Sequence, residues 1–337
     1  MAVRRMHLHG QRLKTAKINL VSQFRVGCVP YVNARPLVAA FDQPNEFVEV
    51  VYDVPSRLPA LLDSGEVDAI LVSSIELLRR DDLLPVSEVG IMSYGPVRSV
   101  RMLSKVPLKE IKTLALDQSS LTSNVLAQII LAEKGVFPKT DTLSPDASDM
   151  LAHHDACVLI GDKGFEADGT GLVDIDLGEA WTSMTGLPFV WALWLGKSVR
   201  PLNFTLLSAL LHGAYSASGF EDLHGAILLG RMTGRGPEEE PEYEASNLPE
   251  AVAHRNFVIR SAVDRSNWTY EQIDEYLTYH VEYEHFDMER AIEKFVELLN
   301  KHGLGPAVIP LALRRQDLQR MVMDLIPDEK GSQIKEG

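Results

Sequence analysis

Two cysteines, Cys28 and Cys157, are all that the 337 residues contain. That leaves neither a disulfide framework nor a cysteine metal cluster, and it fits a reducing compartment. No apolar run approaches the roughly 18 residues needed to cross a bilayer. The basic start, from Met1 through Arg4 and Arg5 to Lys14, lacks the apolar stretch of about 7–15 residues that a secretory signal requires. A cytoplasmic chain with no membrane partner is the expectation. Positive charge is scarce as well: 33 Lys and Arg against 47 Asp and Glu give a net charge of −14. Such a surface repels nucleic acid and anionic lipid, so an anionic ligand must be held by local groups.

Familiar catalytic signatures are missing too. There is no Gly-x-Gly-x-x-Gly after a strand, no phosphate loop, no His-Glu-x-x-His and no Gly-x-Ser-x-Gly elbow, which speaks against nucleotide, flavin, zinc and serine-hydrolase chemistry. His153 and His154 are sequence neighbours and point apart on a helix, so they make no metal pair. No metal or organic cofactor is expected.

What is present is a folded α/β chain. Hydrophobic residues make up 45% and charged residues 24%, an ordinary globular balance, and the length allows two lobes. Short β-branched runs alternate with helical patterns from Phe24 to Leu195, which predicts βαβ units. Strands are expected at Phe24–Val29, Phe47–Tyr52, Ala69–Val72, Ser99–Leu103, Thr113–Leu116, Ala156–Ile160 and Phe189–Leu195. Helices are expected at Ala34–Phe41, Arg57–Asp63, Ile75–Arg80 and Thr122–Glu133, with Ser56, Ser74 and Ser120 as caps. After Pro201 long helical patterns follow, at Leu202–Leu229, Pro249–Val258, Thr269–Tyr279 and Met288–Lys301. The glutamate- and proline-rich stretch from Gly234 to Glu244 reads as an exposed loop. Beyond Gly303 one amphipathic segment, Leu311–Leu325, is a candidate to pack on a partner subunit.

The strand tips concentrate polar groups. Val26-Gly-Cys-Val-Pro-Tyr-Val-Asn33 ends an apolar run before a helix start, where unpaired N–H groups favour anions. Asn33 can simply cap that helix, or it can project with Tyr31 into a cleft, where an amide both donates and accepts. Asp68 to Glu76 repeats the pattern with Ser73 and Ser74. Asp117-Gln-Ser-Ser-Leu-Thr-Ser-Asn124 gathers more hydroxyls and amides than capping needs, an anion bowl at a helix N-terminus. Ser93-Tyr-Gly-Pro-Val-Arg-Ser-Val100 reads as a crossing between lobes, with Arg98 and Ser99 in reach of an inter-lobe cleft or else in a plain turn. Ile160-Gly-Asp162 ends another strand, and one or two of Trp181, Phe189, Trp191 and Trp194 are candidates to wall a ring-shaped ligand.

Taken together, Pro30-Tyr-Val-Asn33-Ala-Arg-Pro-Leu37, Val72-Ser-Ser-Ile75, Tyr94-Gly-Pro-Val-Arg-Ser99, Asp117-Gln-Ser-Ser-Leu-Thr-Ser123 and Ile160-Gly-Asp162 resemble the chorismate dehydratase family of the futalosine route to menaquinone, from about Phe24 to Leu304. The resemblance implies a type II periplasmic-binding-protein-like fold, two α/β lobes joined by two crossing strands with the ligand between them. The crossings are expected near Pro96–Leu103 and Phe189–Leu195. Residues 24–98 plus 192–304 would form lobe one, carrying an exposed acidic loop at 233–247, and 99–191 lobe two. A flexible basic N-terminus, 1–23, and a C-terminal extension, 305–337, lie outside, the latter leaving a homodimer open.

The implied reaction is a hydro-lyase conversion of the dicarboxylate chorismate to 3-[(1-carboxyvinyl)oxy]benzoate. The resemblance implies catalytic roles for Asn33 and Ser99. Substrate contacts would come from Tyr31, Arg35, Ser73, Ser74, Gly95, Pro96, Ser119, Ser120, Thr122, Ser123 and Asp162. The alternatives are the dihydroxynaphthoate-forming enzyme of the same route, whose first-strand motif ends in Asn-Asp where this chain has Asn33-Ala34, or a cytosolic carboxylate-binding module with no chemistry.

Overall fold

The computed structural model describes residues 23–43, 45–197, 201–232 and 249–305. The basic start up to residue 22, the acidic loop and the extension from residue 306, with its Leu311–Leu325 segment, lie outside the described residues.

The chain builds two five-stranded sheets in succession. The first begins with β1 (Phe24–Cys28), β2 (Val48–Tyr52), β3 (Ala69–Ser73) and β4 (Leu83–Ser93). The second comprises β5 (Val100–Ser104), β6 (Thr113–Asp117), β7 (Lys139–Leu143), β8 (Ala156–Ile160) and β9 (Val173–Asp176), before β10 (Phe189–Lys197) returns to the first. The strand orders are β2-β1-β3-β10-β4 and β7-β6-β8-β5-β9. In each sheet three parallel strands are extended by antiparallel ones: β10 runs against both β3 and β4, and β5 against both β8 and β9. Because β10 pairs with the first sheet from Phe189 onward and β5 with the second from Val100, the crossings are the segments ahead of them. They run over Tyr94–Ser99 and Gly186–Pro188 rather than along the expected strand stretches.

Twelve α-helices surround the sheets in the described residues. They are α1 (Arg35–Val38), α2 (Leu58–Ser64), α3 (Glu76–Arg79), α4 (Thr122–Glu133), α5 (Ala147–His153), α6 (Gly161–Glu166), α7 (Leu177–Thr185), α8 (Pro201–Ser216), α9 (Glu221–Met232), α10 (Pro249–Val263), α11 (Tyr270–Tyr279) and α12 (Met288–His302). The long helix expected over Leu202–Leu229 is two, α8 and α9, broken at Gly219. That residue holds φ of 76°, and a Cβ there would lie 2.4 Å from the Ala251 carbonyl oxygen, so only glycine fits. The helix expected at Ala34–Phe41 is one α-turn, α1, flanked by 3-10 turns at Val32–Ala34 and Ala39–Asp42.

Two of the three expected serine caps are also corrected. α2 and α3 begin without any side-chain cap. Ser74 instead donates from Oγ to the Val190 carbonyl at 2.7 Å, tying β3 to β10. Ser120 does accept from the Ser123 amide at 3.2 Å.

Apart from a small cluster of Leu103, Ala115, Met150, Cys157 and Leu159 in the second sheet and α5, the described core is one continuous apolar body. His224 is buried within it as a neutral ring: Nε2 donates to the Leu277 carbonyl at 2.8 Å and Nδ1 accepts from the Tyr215 hydroxyl at 3.0 Å. Burial pushes its pKa down to about 4, from an ordinary 6.5. The unfolded chain therefore takes up a proton below pH 6.5 that the folded one refuses until about pH 4. Stability contributed by the neutral ring is whole above pH 6.5 and falls by about 3 kcal/mol across that window. Thermal unfolding followed from pH 7 to pH 4 should show this loss, and His224→Gln should flatten the dependence.

Candidate functional site

Four strand ends converge where the two sheets face each other. The tip of β1 runs into Tyr31 and Asn33, β3 ends at Ser73, β6 feeds the Ser119–Ser123 turn, and β8 ends at Ile160 and Gly161. Together with Ser99 at the start of β5 and Trp191 and Ala192 in β10, they enclose a cavity of about 100 Å³. Carboxyl ends of parallel strands meeting at a crevice are where open α/β sheets bind ligands.

Eight of the thirteen site residues expected from sequence line this one cavity: Tyr31, Asn33, Ser73, Ser99, Ser119, Ser120, Thr122 and Ser123. The other five do not. Arg35 is 2% exposed and turned the other way. Its guanidinium pairs with Asp42 and bonds to Tyr52 Oη at 2.8 Å and Ser261 Oγ at 3.0 Å, fastening α1 to β2 and α10. Ser74 faces β10. Gly95 and Pro96 sit in the crossing, where the Gly95 amide donates to Thr182 Oγ1 at 3.0 Å and the Pro96 carbonyl meets His280 Nδ1 at 2.9 Å. Asp162 is half-buried in the first turn of α6 beside the lining residue Gly161, and desolvation followed by the nearby Glu166 charge raises its pKa. Breaking only one side of a buried ion pair costs about 3–5 kcal/mol. Arg35→Met is accordingly expected to lower the melting temperature steeply while leaving turnover below the transition unchanged, as differential scanning calorimetry beside an activity assay would read.

Asn33 does not cap a helix. Its turn has no side-chain cap bond, and its Oδ1 is buried with no hydrogen-bond partner. An unsatisfied buried acceptor costs about 1–3 kcal/mol, and here it lies on the wall of the cavity. Below it the Tyr283 hydroxyl donates to the Asn33 carbonyl at 2.8 Å and fixes the turn from beneath.

Ser99 is held by an unusual stretch of backbone. Arg98 before it has φ of 60°, a left-handed conformation for a non-glycine residue. The Asp176 carboxylate accepts from the Val97 and Arg98 amides at 3.0 and 2.6 Å and keeps it there. Gly164 of α6 packs so closely that a Cβ would stand 2.2 Å from the Ser99 carbonyl oxygen. The Ser99 hydroxyl meets Tyr276 Oη of α11 at 2.8 Å. Tyr276 is fully enclosed, and burial raises its pKa well above the ordinary value against the opposing hydrogen bonds from Ser99 and Asn33. It is therefore a neutral phenol joining the two polar side chains. Sequence reasoning missed it, since a tyrosine on an amphipathic helix carries no local signal of a distant partner.

The turn after β6 is wired internally. Asp117, wholly buried, accepts from the Ser119 amide at 2.8 Å, from the Ser119 hydroxyl and from the Ile160 amide at 3.3 Å. Asn124 closes the loop through the Asp117 carbonyl at 2.7 Å. Thr122 Oγ1 reaches across the cleft to Ser73 Oγ and accepts from the Ile75 amide at 3.2 Å. The bowl thus touches the opposite wall directly. Among the expected aromatics Trp191 lines the cavity, its Nε1 donating to Ser93 Oγ at 3.0 Å. Trp181 and Phe189 pack in the core with Phe295, and Trp194 is fully buried. None of the described residues lining the cavity is an Asp, Glu, His, Lys or Arg.

Comparison with known proteins agrees with this architecture. A family model described as menaquinone biosynthesis matches residues 24–215, more than half of the chain. The chain belongs to this menaquinone-biosynthesis family. Among its relatives, a chorismate dehydratase of Thermus thermophilus is 31% identical over 206 residues, which span 54% of this chain and 75% of that protein. A chorismate dehydratase of Campylobacter jejuni is 30% identical over 176 residues, spanning 49% of this chain and 64% of that protein. In three dimensions the periplasmic aliphatic sulphonate binding protein SsuA from Escherichia coli superposes with a TM-score of 0.57 at 16% identity, covering 87% of this chain and 97% of that one. The family member described here thus has a periplasmic-binding-protein-like fold, with its polar cavity between the sheets. No helix among its described residues is long and apolar enough to cross a membrane.

Proposed function

We propose that this chain is a hydro-lyase that dehydrates chorismate to 3-[(1-carboxyvinyl)oxy]benzoate in the futalosine route to menaquinone. Its family and its chorismate dehydratase relatives support the substrate. The observation that carries the mechanism is the uncharged lining of the cavity. A cleft whose described lining offers Tyr31 as its one ionisable side chain, its pKa raised by burial above the ordinary value, suits a substrate that brings its own base.

Chorismate loses the ring hydroxyl and the proton on the neighbouring ether-bearing carbon. That proton is vinylogous to the ring carboxylate, so its removal pushes charge onto that carboxylate. The Ser119–Ser123 turn, at the positive end of α4, is the group of donors suited to receive it. The enolpyruvyl carboxylate of the substrate takes the proton. Asn33 Oδ1 accepts from the substrate, and Ser99, whose oxygen accepts from Tyr276, donates to the departing hydroxide. The hydroxide then collects the abstracted proton and leaves as water, and aromaticity drives the step. Positioning supplies the rate that a strong base would otherwise give.

In this reading each sheet with its helices is one lobe, and the boundary expected between 191 and 192 moves ahead of Phe189, where β10 joins the first sheet. A cavity of about 100 Å³ is smaller than the roughly 300 Å³ at the low end of small-ligand pockets, so the ring enters as the lobes part at the Ser73–Thr122 contact and is enclosed as they close.

Mixing purified protein with chorismate and following ultraviolet absorbance and mass should give the benzoate. Binding without a spectral change would replace this reading with that of a cytosolic carboxylate-binding module. With no titrating base in the cleft, kcat should stay flat from about pH 7 to about pH 9. A limb with an apparent pKa inside that range would assign the proton to a protein group instead.

A further inference from the structure

A second polar cluster lies outside the cleft, where α8, the start of α9 and the extended segment after Val281 meet. His212 Nε2 is 3.0 Å from Glu284 Oε1 and 3.9 Å from Glu221 Oε1. One ligand atom from each residue lies within 4.8 Å of the others. All three side chains are 37–39% exposed, leaving a path for an ion to enter. His212 Nδ1 faces Ser216 Oγ one turn along α8 at 3.4 Å. That directs Nε2 toward the two carboxylates, as an outer partner does for metal-bound histidines.

Glu221 and Glu284 also line a cavity of about 490 Å³, and so do Glu282 and His285. The last two are 7% and 8% exposed. Glu282 Oε1 pairs with Arg231, yet Glu282 Oε2 and His285 Nε2 have no hydrogen-bond partner. The Asp287 amide donates to His285 Nδ1 at 3.0 Å, so in the neutral ring Nε2 carries the hydrogen. The cavity therefore holds one orphaned acceptor and one orphaned donor, and two of the three cluster residues, Glu221 and Glu284, line it. Buried polar atoms without partners are rare in native proteins. These two fit the water molecules that complete the coordination of an ion held by only three protein ligands.

We propose that His212, Glu221 and Glu284 bind a divalent transition cation. Glu282 Oε2 would accept from, and His285 Nε2 donate to, its coordinated water. One imidazole and two carboxylates suit zinc or manganese. Tyr283, between the two glutamates, bonds to the Asn33 carbonyl and packs on His224 and Tyr215, so a cation here also braces the segment beneath the cleft.

The test uses the full chain, stripped with a chelator and titrated with zinc and with manganese in a calorimeter. One cation per chain is expected, together with a rise in melting temperature on addition. His212→Ala and Glu221→Gln should each weaken affinity by at least about tenfold and abolish the rise, with Glu282→Gln giving a smaller loss. Two variants on different helices keep the test valid if one of them misfolds. Affinity unchanged in both variants, or no saturable binding by the wild-type chain, would overturn the site and leave His212 as a plain hydrogen-bond partner of Glu284.

Discussion

Asn33→Ala should lower turnover of chorismate by on the order of 100-fold, the loss expected when a contact that fixes the substrate in its reactive orientation is removed. The melting temperature should hardly move. Asn33 makes no cap bond and its Oδ1 has no protein partner, so truncation removes an orphaned acceptor rather than a stabilising bond. What remains is loss of its contact with Tyr276, worth about 1 kcal/mol. Replacing a capping residue would cost a comparable amount of stability, about 0.5–2 kcal/mol, but leave the chemistry untouched. Measuring kcat and thermal unfolding on the same preparation separates the two roles.

The second large effect concerns Ser99 and the tyrosine behind it. Ser99→Ala should reduce kcat by on the order of 100-fold with a small change in KM, because the hydroxyl is asked to stabilise the departing hydroxide and not to hold the bound ring. Tyr276→Phe should cost about tenfold, since it removes the hydrogen bond that aims the Ser99 hydroxyl and leaves the hydroxyl in place. The double variant is the sharper readout. If Tyr276 acts through Ser99, adding Tyr276→Phe to Ser99→Ala should change the rate no further, whereas independent roles would multiply. Purely structural damage by Tyr276→Phe would appear as lost stability and would persist in the double variant.

Which parts of this molecule could be read from the chain depends on burial. Strands in the middle of each sheet, β1, β3, β5, β6, β8 and β10, are covered on both faces and stand out as apolar runs. The three strands missing from the sequence reading are all at edges: β4 in the first sheet, β7 and β9 in the second. β7, Lys139–Leu143, is almost wholly exposed and β9, Val173–Asp176, alternates with aspartate, so neither shows the pattern of a half-buried strand. β4 is the longest strand at 11 residues, but Pro85 inside it argues against a strand. An edge position accepts a residue with no N–H to offer, and further along that edge Gly90 and Met92 pair with Tyr283 and Glu282.

The site divides in the same way. Polar residues at the ends of central strands, such as Ser73 and Ser119, reach the cavity because the strand aims them. Arg35 sits in the same motif as Asn33, yet one α-turn swings it round to Asp42, Tyr52 and Ser261. Partners on the turn before β2, on β2 and on α10 together decide that, and the last is set only by how α10 docks. Tyr276 lies 177 residues from Ser99, and their contact depends on how α11 docks against the crossing segment.

In the proposed mechanism an uncharged cleft lets the ring acid serve as its own base. Comparing chorismate with its analogue amidated at the enolpyruvyl carboxylate tests this most directly, because the amide keeps the ring, the ether and the hydroxyl but cannot take up the proton. The amide is expected to bind and to be dehydrated at least about 100-fold more slowly. Turnover of the amide at a rate close to that of chorismate would contradict that mechanism.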